Sequence, residues 1–356
     1  MRVLIAGGGT GGHLYPGVAL ARELQRRDAG TDVSFVGTAA GIEVRVIPRE
    51  GFPLDLIRVA GLKGKSVVTR LRGLALLPLS AVDAWRVLSR RRPSVVVGVG
   101  GYSSGPVLAL AALRRYPTML LEQNALPGLT NRLLAPLVGA AAVNFEDALR
   151  FFPRTGFVAG NPVRAAFFGP AVTEGHDRKV RVLIFGGSQG AHAINLALVA
   201  AAPQLAASGL DLAITHQTGE RDLDLVRDAY QQAGLDARVE AFLYEMDREM
   251  KQADLVVSRA GATTLSELAA AGRPSVLVPL PTATDDHQRK NAETVARAGG
   301  AVVLDERGLT GERMATELLA LAGDAARRQE MGASARRLAR PDAAARIADR
   351  VCVLAG

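Results

Sequence analysis

Short apolar runs alternate with amphipathic stretches along the whole chain of 356 residues. Apolar runs rich in β-branched residues are typical of strands that are buried on both faces of a parallel sheet. In the first half of the chain they predict strands over 33–36, 95–99 and 118–121. In the second half they predict strands over 212–215, 239–242, 254–258, 275–278 and 301–304. The regular alternation of strands with helices predicts an α/β protein built on parallel sheets.

One segment pattern occurs twice, half a chain apart. Residues 2–13 read RVLIAGGGTGGH, and residues 181–192 read RVLIFGGSQGAH. Each copy is an apolar strand that enters a glycine-rich loop and then a helix, which is how a Rossmann-like domain begins. We therefore predict two domains of the same architecture, with a linker near Gly160, Asn161 and Pro162. Because parallel sheets bind ligands at the carboxyl ends of their strands, we expect the two domains to share a cleft.

Basic residues are concentrated in one segment of the chain. The net charge is +8, and the segment from Gly61 to Arg92 contains eight basic residues against one acid, Asp83. Several leucines and the single tryptophan lie between them. Such a mixture predicts a surface that meets anionic lipid head groups. At its centre are Trp85, Arg86, Arg90, Arg91 and Arg92. The alternative is a surface helix that packs on its own domain and exposes its arginines only to water.

Composition narrows the classes of protein to which the chain can belong. Hydrophobic residues make up 48% of the chain and charged residues 22%, which is the balance of a globular protein. No apolar run approaches the ~18 residues of a membrane span, and glycines from Gly7 onward cut the first run too short for a signal peptide. The single cysteine, Cys352, cannot form an internal disulfide, so we expect a cytoplasmic, reducing environment. Nucleic-acid binding is disfavoured, because aromatic residues make up only 4% and no recognition motif accompanies the basic segment.

The first glycine loop, residues 7–12, fits the pattern G-x-G-x-x-G after a strand. Nicotinamide and flavin dinucleotides need an acidic residue about 20 positions further on, at the end of the second strand. That strand ends here in Gly37 and Thr38, so dinucleotide binding is disfavoured. His13 follows the loop directly and is a candidate proton acceptor, although a helix-capping or packing role is also open. Its counterpart in the second copy of the repeat is His192.

A second candidate for ligand binding is the segment 259–267, which follows a predicted strand. Small and hydroxyl-bearing residues at the start of a helix can cradle a diphosphate, which the helix dipole stabilises. Glu267 lies about one turn into that helix, within reach of a ribose diol. The loop 188–190 is the other anion-binding loop of the same domain. A capped helix with an acidic first turn is the structural alternative.

The sequence contains no arrangement typical of metal ligands. Its five histidines are scattered, and no strand ends in the D-x-D pair that holds a divalent ion against a diphosphate. The adjacent acids Asp285 and Asp286 are interpreted as a turn. We therefore expect neither a metal nor a cofactor in the site. The charge of a diphosphate would then be met by helix termini and by cations such as Arg164.

These motifs together resemble those of a known family, the MurG-type N-acetylglucosaminyltransferases, over essentially the whole chain. No single segment is specific, but their order and spacing are. The matching segments are 8–13 with Pro16, 100–106, 122–124, 160–164, 186–191, Phe242 with Met246, 259–267, and 286–288 with Asn291 and Ala292. The resemblance implies the GT-B fold, in which two Rossmann-like domains face each other across a cleft. It also implies domains over 1–161 and 162–340, with a last helix over 341–356 that packs back on the first domain.

The resemblance further implies an activity. Such enzymes move N-acetylglucosamine from UDP-N-acetylglucosamine, with inversion, to the 4-hydroxyl of an N-acetylmuramyl pentapeptide carried on undecaprenyl diphosphate. This step belongs to peptidoglycan synthesis and so to cell shape and division. A peripheral location on the cytoplasmic face of the plasma membrane is expected, with the segment around Trp85 in contact with anionic lipid.

The donor contacts implied by the resemblance fall mainly in the second domain. Leu243 would offer backbone contacts to uracil, and Glu267 would hold the ribose. The residues implied around the diphosphate are Arg164, Ser188, Ala262, Thr263 and Thr264, and Leu265 and Ser266 are further donor-binding residues of the same helix start. Those implied around the sugar are Asn124, Gln288 and the loop of Thr10, Gly11 and Gly12.

The acceptor contacts implied by the resemblance fall in the first domain. They lie on a second glycine loop, at Gly100, Gly101, Tyr102 and Ser103. His13 is the first candidate for the general base and Glu122 the second, and the sequence does not choose between them. Two positions depart from the family pattern. His287 stands where some relatives have a second glutamine, and Leu121 stands where a histidine often precedes the glutamate.

Three rival functions remain open on the same fold. One is a glycolipid synthase that uses a diacylglycerol acceptor, and another is a UDP-sugar epimerase, which would convert its donor with no acceptor present. The third is a non-catalytic nucleotide-sugar-binding protein, which would bind UDP without turnover.

Overall fold

The chain forms two compact units in the computed structural model. The structure describes residues 1–59, 76–169, 179–187 and 190–356. The first unit consists of Met1–Val163 together with Arg340–Gly356, and the second of Arg164–Ala339. The basic side chains between Lys63 and Arg72, and the loop residues Ser188 and Gln189, lie outside the described residues.

The first unit contains seven strands and six helices within its described residues. Its strands are β1 (Arg2–Gly7), β2 (Asp32–Gly37), β3 (Leu54–Leu56), β4 (Val95–Gly100), β5 (Thr118–Glu122), β6 (Ala140–Val143) and β7 (Gly156–Val158). Its helices are α1 (Gly11–Arg27), α2 (Glu43–Arg49), α3 (Leu77–Arg91), α4 (Ser104–Leu113), α5 (Leu129–Leu134) and the last helix of the chain, α13 (Ala343–Ala355). A 3₁₀ turn spans Glu146–Phe151.

The strands of the first unit form one parallel sheet in the order β3-β2-β1-β4-β5-β6-β7. Both of its faces are covered, and β1 shows how. Val3 and Ile5 belong to one apolar cluster and Leu4 and Ala6 to the other, because successive side chains of a strand point to opposite faces. This explains why the strands are continuous apolar runs without alternation.

The last helix completes the first unit. Ile347, Ala348 and Val351 are fully buried in the same cluster as Val3 and Ile5. Arg27 at the end of α1 donates to Asp349 at 2.5 Å and to the carbonyl of Ala345 at 2.9 Å. The helix therefore covers α1 and one face of the sheet, although it follows the whole second unit in the chain.

The second unit contains six strands and seven helices within its described residues. Its strands are β8 (Val180–Phe185), β9 (Leu212–Gln217), β10 (Asp236–Glu240), β11 (Leu255–Ser258), β12 (Ser275–Leu277) and β13 (Ala301–Val303). Its helices are α6 (His192–Ala206), α7 (Leu223–Ala233), α8 (Met246–Gln252), α9 (Ala262–Ala271), α10 (His287–Arg297), α11 (Gly311–Gly323) and α12 (Ala325–Arg337). Three short 3₁₀ turns span Ala165–Phe167, Glu220–Asp222 and Thr284–Asp286. The parallel sheet has the order β10-β9-β8-β11-β12-β13.

The predicted fold class is confirmed, and so are most of the predicted strands. The strand predicted over 239–242 is wrong in position, since β10 occupies Asp236–Glu240. Its partner β9 pairs with this polar edge segment, so sheet pairing outweighed the apolar pattern. Three strands of the first unit, β3, β6 and β7, were not predicted. The sequence of β6 is AAAV, and alanine favours helices when it is not enclosed by a sheet.

None of the described helices is both long enough and apolar enough to span a bilayer.

Truncation of Ile347 tests the packing of the last helix. We expect Ile347→Ala to destabilise the first unit by about 2–4 kcal/mol, because it leaves a cavity in a fully buried site. Urea unfolding followed by circular dichroism measures the loss. Val353→Ala is the matched control on the same helix, where the side chain is 69% exposed, and it should change stability by less than about 0.5 kcal/mol. Equal effects of the two variants would contradict the packing of this helix on the sheet.

Candidate functional site

Each sheet has one point where its strand order reverses. In the first unit this point lies between β1 and β4, and in the second between β8 and β11. Connections leave such a pair of strands in opposite directions, so a crevice opens at their carboxyl ends, where α/β proteins bind ligands. The candidate residues follow these strands. The loops after β1 and β4 carry most of the catalytic and ligand-binding candidates of the first unit, with Glu122 and Asn124 at the end of the neighbouring strand β5. The loops after β8 and β11 carry most of those of the second unit.

The two glycine loops of the first unit contact each other closely. The amide of Gly8 donates to the carbonyl of Gly100 at 3.3 Å. A side chain at Gly101 would collide with the carbonyl of Gly8, and Gly101 has a φ of +83°. Only glycine fits both this approach and this backbone conformation. The loops 7–13 and 100–105 therefore form one continuous surface.

His13 lies on that surface. It is the third residue of α1, and its ring packs against Gly100, where an added Cβ would lie 2.6 Å from Cδ2 of the imidazole. Its Nδ1 is 3.2 Å from the hydroxyl of Thr10. The side chain is half-buried. The contact with Thr10 orients the ring, and an imidazole can take up a proton near neutral pH.

Glu122 ends β5, the strand beside β4, and its carboxylate is buried. It accepts hydrogen bonds from the amide and the side chain of Asn124 at 2.9 and 3.1 Å, from Asn131 at 2.8 Å and from the amide of Gly128 at 3.1 Å. Burial raises the pKa of Glu122, and these hydrogen bonds partly oppose the rise. Both oxygens are thus engaged in holding the loop 124–131. The geometry of Glu122 is that of a loop anchor.

The remaining predicted residues of the first unit lie on the same edge of the sheet. Gly11 and Gly12 begin α1, and Tyr102 and Ser103 precede α4. Tyr102 is 55% exposed, whereas Ser103 is buried. The next residue, Ser104, has a buried hydroxyl with no hydrogen-bond partner among the described residues. The residues predicted for the base, the sugar and the acceptor in this unit therefore all lie at the carboxyl ends of β1, β4 and β5.

In the second unit, α9 begins directly after the loop that leaves β11. Gly261 precedes the helix and has no side chain with which to cap its first amide groups. Ala262, Thr263 and Leu265 are buried, while Thr264 and Ser266 are half-buried. Arg259 reaches back from the loop to the carbonyl of Val278 and pairs with Glu306. The start of this ten-residue helix is a favourable position for an anion.

Glu267 projects from the second turn of α9 near two other charged residues. Burial raises the pKa of its carboxyl to about 7, Arg164 opposes that rise and Asp247 adds to it. The ring of Phe167 lies 5.0 Å from the Arg164 guanidinium. A cation, a carboxylate and a helix start are thus gathered in one region of the second unit. Such a set suits a ligand that has both phosphates and hydroxyls.

Gln288 and Leu243, two further residues predicted to contact the donor, lie in the same unit. The side-chain oxygen of Gln288 accepts from the amide of Leu280 at 3.0 Å, and Asn291 on the same helix donates to the carbonyl of Ala260 at 3.3 Å. Both bonds fix α10 against the strand-end loops. Leu243 is buried and follows the exposed Phe242. The roles assigned to Gln288 and Leu243 stay predictions.

His192 differs from its counterpart His13. It is the first residue of α6, and its Nδ1 lies 3.0 Å from both oxygens of Asp222. Its Nε2 is 3.3 Å from a nitrogen of Arg221. Asn195 donates to Asp222 as well, at 2.8 Å. The imidazole of the second copy is therefore committed to contacts within its own unit.

The predicted lipid-contacting surface lies on α3, and two of its arginines have an acidic partner. Arg90 pairs with Asp55, and Arg91 donates to the same carboxylate at 2.7 Å. The sequence did not reveal this, because Asp55 is distant in the chain. Trp85 is 52% exposed, with the Arg114 guanidinium 4.1 Å from the centre of its ring system. Of the predicted arginines, Arg86 and Arg92 remain to carry the positive charge of this surface.

Among the residues that the structure describes, no three His, Cys, Asp or Glu side chains are arranged to hold a metal ion. The adjacent Asp285 and Asp286 both have left-handed backbone conformations, and they form the turn before α10. The sequence also missed one acid, Glu43 of α2, whose carboxylate contacts the first glycine loop.

Comparisons with known proteins match both units. The family model described as the glycosyltransferase family 28 N-terminal domain matches residues 3–143, and the one for the C-terminal domain matches residues 181–347. The chain belongs to glycosyltransferase family 28. The resemblance seen in the sequence is thereby confirmed, and the predicted class of enzyme, a glycosyltransferase, with it.

Relatives of this family 28 chain share close to half of its residues. A protein of Anaeromyxobacter dehalogenans strain 2CP-C is 49% identical over 99% of this chain and 92% of its own length. One of Myxococcus xanthus is 47% identical with the same coverage. Both are named UDP-N-acetylglucosamine–N-acetylmuramyl-(pentapeptide) pyrophosphoryl-undecaprenol N-acetylglucosamine transferase.

Solved structures agree with the fold. The crystal structure of Acinetobacter baumannii MurG covers 99% of each chain with a TM-score of 0.79 at 30% identity. UDP-GlcNAc 2-epimerase of Neisseria meningitidis, bound to UDP-GlcNAc, covers 99% of this chain with a TM-score of 0.70 at 14% identity. At that identity the epimerase shows the shared fold alone.

The raised pKa of Glu267 gives a pH-dependent prediction. Because the folded state holds this proton more tightly than the unfolded state, the wild type loses stability as pH rises from about 4.5 to about 7. Above pH 7 the full penalty is present, so Glu267→Gln should be more stable than the wild type at pH 8. The difference should vanish near pH 4.5. Thermal unfolding at pH 5 and pH 8 measures it.

The predicted contact of Glu267 with the ribose implies that the same substitution weakens UDP binding by about 10-fold at pH 8, because it would remove a charged hydrogen-bond acceptor. Calorimetry with UDP measures the affinity. Glu330→Gln on the exposed side of α12 is the control, and it should change neither quantity. A Glu267→Gln variant that is less stable than the wild type at pH 8 would contradict the burial of this carboxylate.

Proposed function

We propose that this chain transfers N-acetylglucosamine from UDP-N-acetylglucosamine to the 4-hydroxyl of an N-acetylmuramyl pentapeptide that is linked through diphosphate to undecaprenol. The observation that carries this proposal is the second unit's set of Arg164, Glu267 and the uncapped start of α9. Arg164 offers a cation to a nucleoside diphosphate, the Glu267 carboxylate can accept hydrogen bonds from its hydroxyl groups, and the first amides of α9 can donate to its phosphates. The relatives named for this transfer, at up to 49% identity over 99% of the chain, support the choice of sugar and acceptor.

The donor is assigned mainly to the second unit. Its diphosphate binds at the start of α9, near Ala262, Thr263 and Thr264, where the helix dipole and Arg164 stabilise negative charge. The carboxylate of Glu267 accepts hydrogen bonds from the ribose diol. Leu243, Leu265, Ser266 and Ser188 complete the predicted contacts, with Asn124 and Gln288 assigned to the sugar.

The reaction that these residues support is a single displacement at the anomeric carbon of the donor. The oxygen of the acceptor 4-hydroxyl forms a bond to that carbon while the bond from the carbon to the β-phosphate oxygen breaks. The electron pair leaves with UDP, and the configuration at the carbon inverts. As the bond breaks, negative charge grows on the diphosphate, so the helix start and Arg164 stabilise the transition state more than the ground state.

His13 is the residue we assign as general base. It lies on the surface formed by the two glycine loops, Thr10 contacts its Nδ1, and its imidazole is of a type that can accept the proton of the acceptor hydroxyl near neutral pH. Glu122 is less suited to this role, since four hydrogen bonds already engage its two oxygens. We assign Glu122 to holding the loop with Asn124. Gly100, Gly101, Tyr102 and Ser103 are assigned to the acceptor.

The acceptor carries a lipid, which gives the exposed side of α3 a purpose. Leu77, Leu79, Val82 and Trp85 are all at least 40% exposed on this helix. Together with Arg86 and Arg92 they suit the interface of an anionic membrane. We infer a peripheral protein on the cytoplasmic face of the plasma membrane, where peptidoglycan precursors are assembled. No nucleic acid and no metal are part of this proposal.

The decisive experiment measures UDP release with UDP-N-acetylglucosamine in the presence and absence of the lipid-linked muramyl acceptor. We expect release only with the acceptor. Release without it would favour hydrolysis, and conversion of the donor without acceptor would favour an epimerase. Turnover with diacylglycerol instead would favour a glycolipid synthase. Binding of UDP with no turnover under any of these conditions would contradict a catalytic role.

Substitution of His13 tests the base in the same assay. We expect His13→Ala to lower kcat by about 10²–10⁴-fold, the range of general-base catalysis, with UDP affinity unchanged. His192→Ala removes the counterpart imidazole and should keep kcat within about threefold. If His13→Ala keeps near-full turnover while Glu122→Gln, still folded, loses it, the assignment of the base moves to Glu122.

The membrane assignment is tested by sedimentation with vesicles that contain phosphatidylglycerol. Neutralising Arg86 and Arg92 together should weaken binding by about 10- to 30-fold, since each basic residue near an anionic surface contributes about 1 kcal/mol. Added salt should weaken binding of the wild type too. The control neutralises Arg227 and Arg313 of the second unit, with the same loss of net charge. Equal effects of the two pairs would show that α3 is not the contact surface.

A further inference from the structure

Glu43, the first residue of α2, is 1% exposed, and its carboxylate contacts the loop that precedes His13. One oxygen accepts the amide of Gly9 at 2.8 Å. The other accepts the amide of Thr38 at 2.8 Å and its hydroxyl at 3.0 Å. A buried charge of this kind is costly unless it is fully hydrogen-bonded, so its presence points to a purpose beyond packing.

The backbone around Glu43 is shaped to receive its carboxylate. A Cβ at Gly8 would lie 2.6 Å from the carboxyl carbon, and side chains at Gly37 or Gly41 would collide with Glu43 as well. Three glycines therefore surround one acid. In phosphate-binding loops, amides in the position of the Gly9 N–H point at the ligand. Here that amide is already bound to a carboxylate of the protein.

The second unit holds its equivalent loop differently. There the side chain at the end of the second strand is Gln217, whose amide donates to the carbonyl of Gly187 at 2.8 Å. A neutral amide thus contacts that loop where a carboxylate contacts the first one. The side chains that contact the two copies of the motif therefore differ in charge.

We propose that Glu43 is a positioning residue, which fixes the first glycine loop and through it places His13 for proton transfer. The inference rests on the proposed function of His13. The path is short: Glu43 holds Gly9, the adjacent Gly8 donates to Gly100, and the His13 ring packs on Gly100. Because the carboxylate also occupies an amide that phosphate would otherwise use, the first loop is suited to uncharged parts of a ligand.

The test compares two variants that disturb the same carboxylate. Glu43→Gln leaves one acceptor oxygen for three donors and turns an N–H toward Gly9 or Thr38. Thr38→Val removes only the hydroxyl donor and leaves the bond to Gly9. We expect kcat to fall about 10- to 100-fold in Glu43→Gln, since a displacement of about 1 Å at a reacting group has effects of that size. Thr38→Val should keep kcat within about threefold, and UDP affinity should stay unchanged in both.

Stability is measured alongside activity. Glu50→Gln, which alters an acid at the end of the same helix, is the control for the substitution itself and should leave kcat unchanged. If kcat falls only in proportion to the loss of thermal stability in Glu43→Gln and Thr38→Val alike, Glu43 is merely structural and the proposal is overturned. If Glu43→Gln does not fold, the kcat of Glu43→Asp is measured in its place. Its carboxylate is about 1.5 Å shorter in reach, and wild-type kcat in that variant would overturn the proposal.

A second measurement does not depend on turnover. In protein labelled with ¹³C-histidine, the ring signal of His13, identified by its absence from His13→Ala, should move in Glu43→Gln and stay in place in Thr38→Val. An unmoved signal in Glu43→Gln overturns the positioning role. Failure of the wild type to transfer sugar counts against the proposed function, and it leaves this comparison of signals intact.

Discussion

The reversal of strand order beside the first strand of each sheet is the constraint on which the rest of the structure depends. In the first unit it places the loops after β1 and β4 side by side, so Gly8 can donate to Gly100 and His13 can pack on it. A sheet with consecutive strand order would have placed a helix connection across this edge. The same reversal in the second unit sets the start of α9 at the edge of its sheet. Both glycine loops of the repeat are thereby directed to the ligand-binding edge of their own sheets.

The protein holds three of its carboxylates in different ways. Glu122 is held by four hydrogen bonds from one loop, and Glu43 by three from two segments. Glu267 instead relies on Arg164, and burial keeps its pKa near 7. A carboxylate that is fully hydrogen-bonded by its own protein is suited to holding structure, while one that is short of partners is suited to binding a ligand. This contrast explains why Glu267 is the acid we assign to substrate.

Much of the fold was predictable from the sequence, because parallel strands that are buried on both faces leave a strong apolar signal. The strands that are rich in valine, leucine and isoleucine carried that signal, and so did the repeat. Small and hydroxyl-bearing residues indicated the helix start after β11. The alanine-rich β6 did not carry the apolar signal, and only its enclosure between β5 and β7 makes it a strand. The pairing of Arg90 and Arg91 with Asp55 was also hidden, since it joins α3 to an edge strand more than 30 residues away. Contacts of this kind are decided by tertiary packing, which local patterns do not encode.

Glu43 is the clearest example of a contact that local patterns did not reveal. The dinucleotide-binding pattern requires an acid near the first glycine loop. The sequence showed no acid at the end of β2, and this argued against a nicotinamide or flavin cofactor. An acid does reach the loop, but it comes from α2 and accepts a hydrogen bond from the amide of Gly9. The second loop is contacted by the neutral side chain of Gln217, while the first is contacted by the carboxylate of Glu43 and is followed by a histidine at the third residue of its helix. In α6 the helix begins at His192 itself, which places that imidazole beside Asp222 instead. Because α1 begins two residues before His13, the two copies of the repeat place their histidines at different points of the helix start.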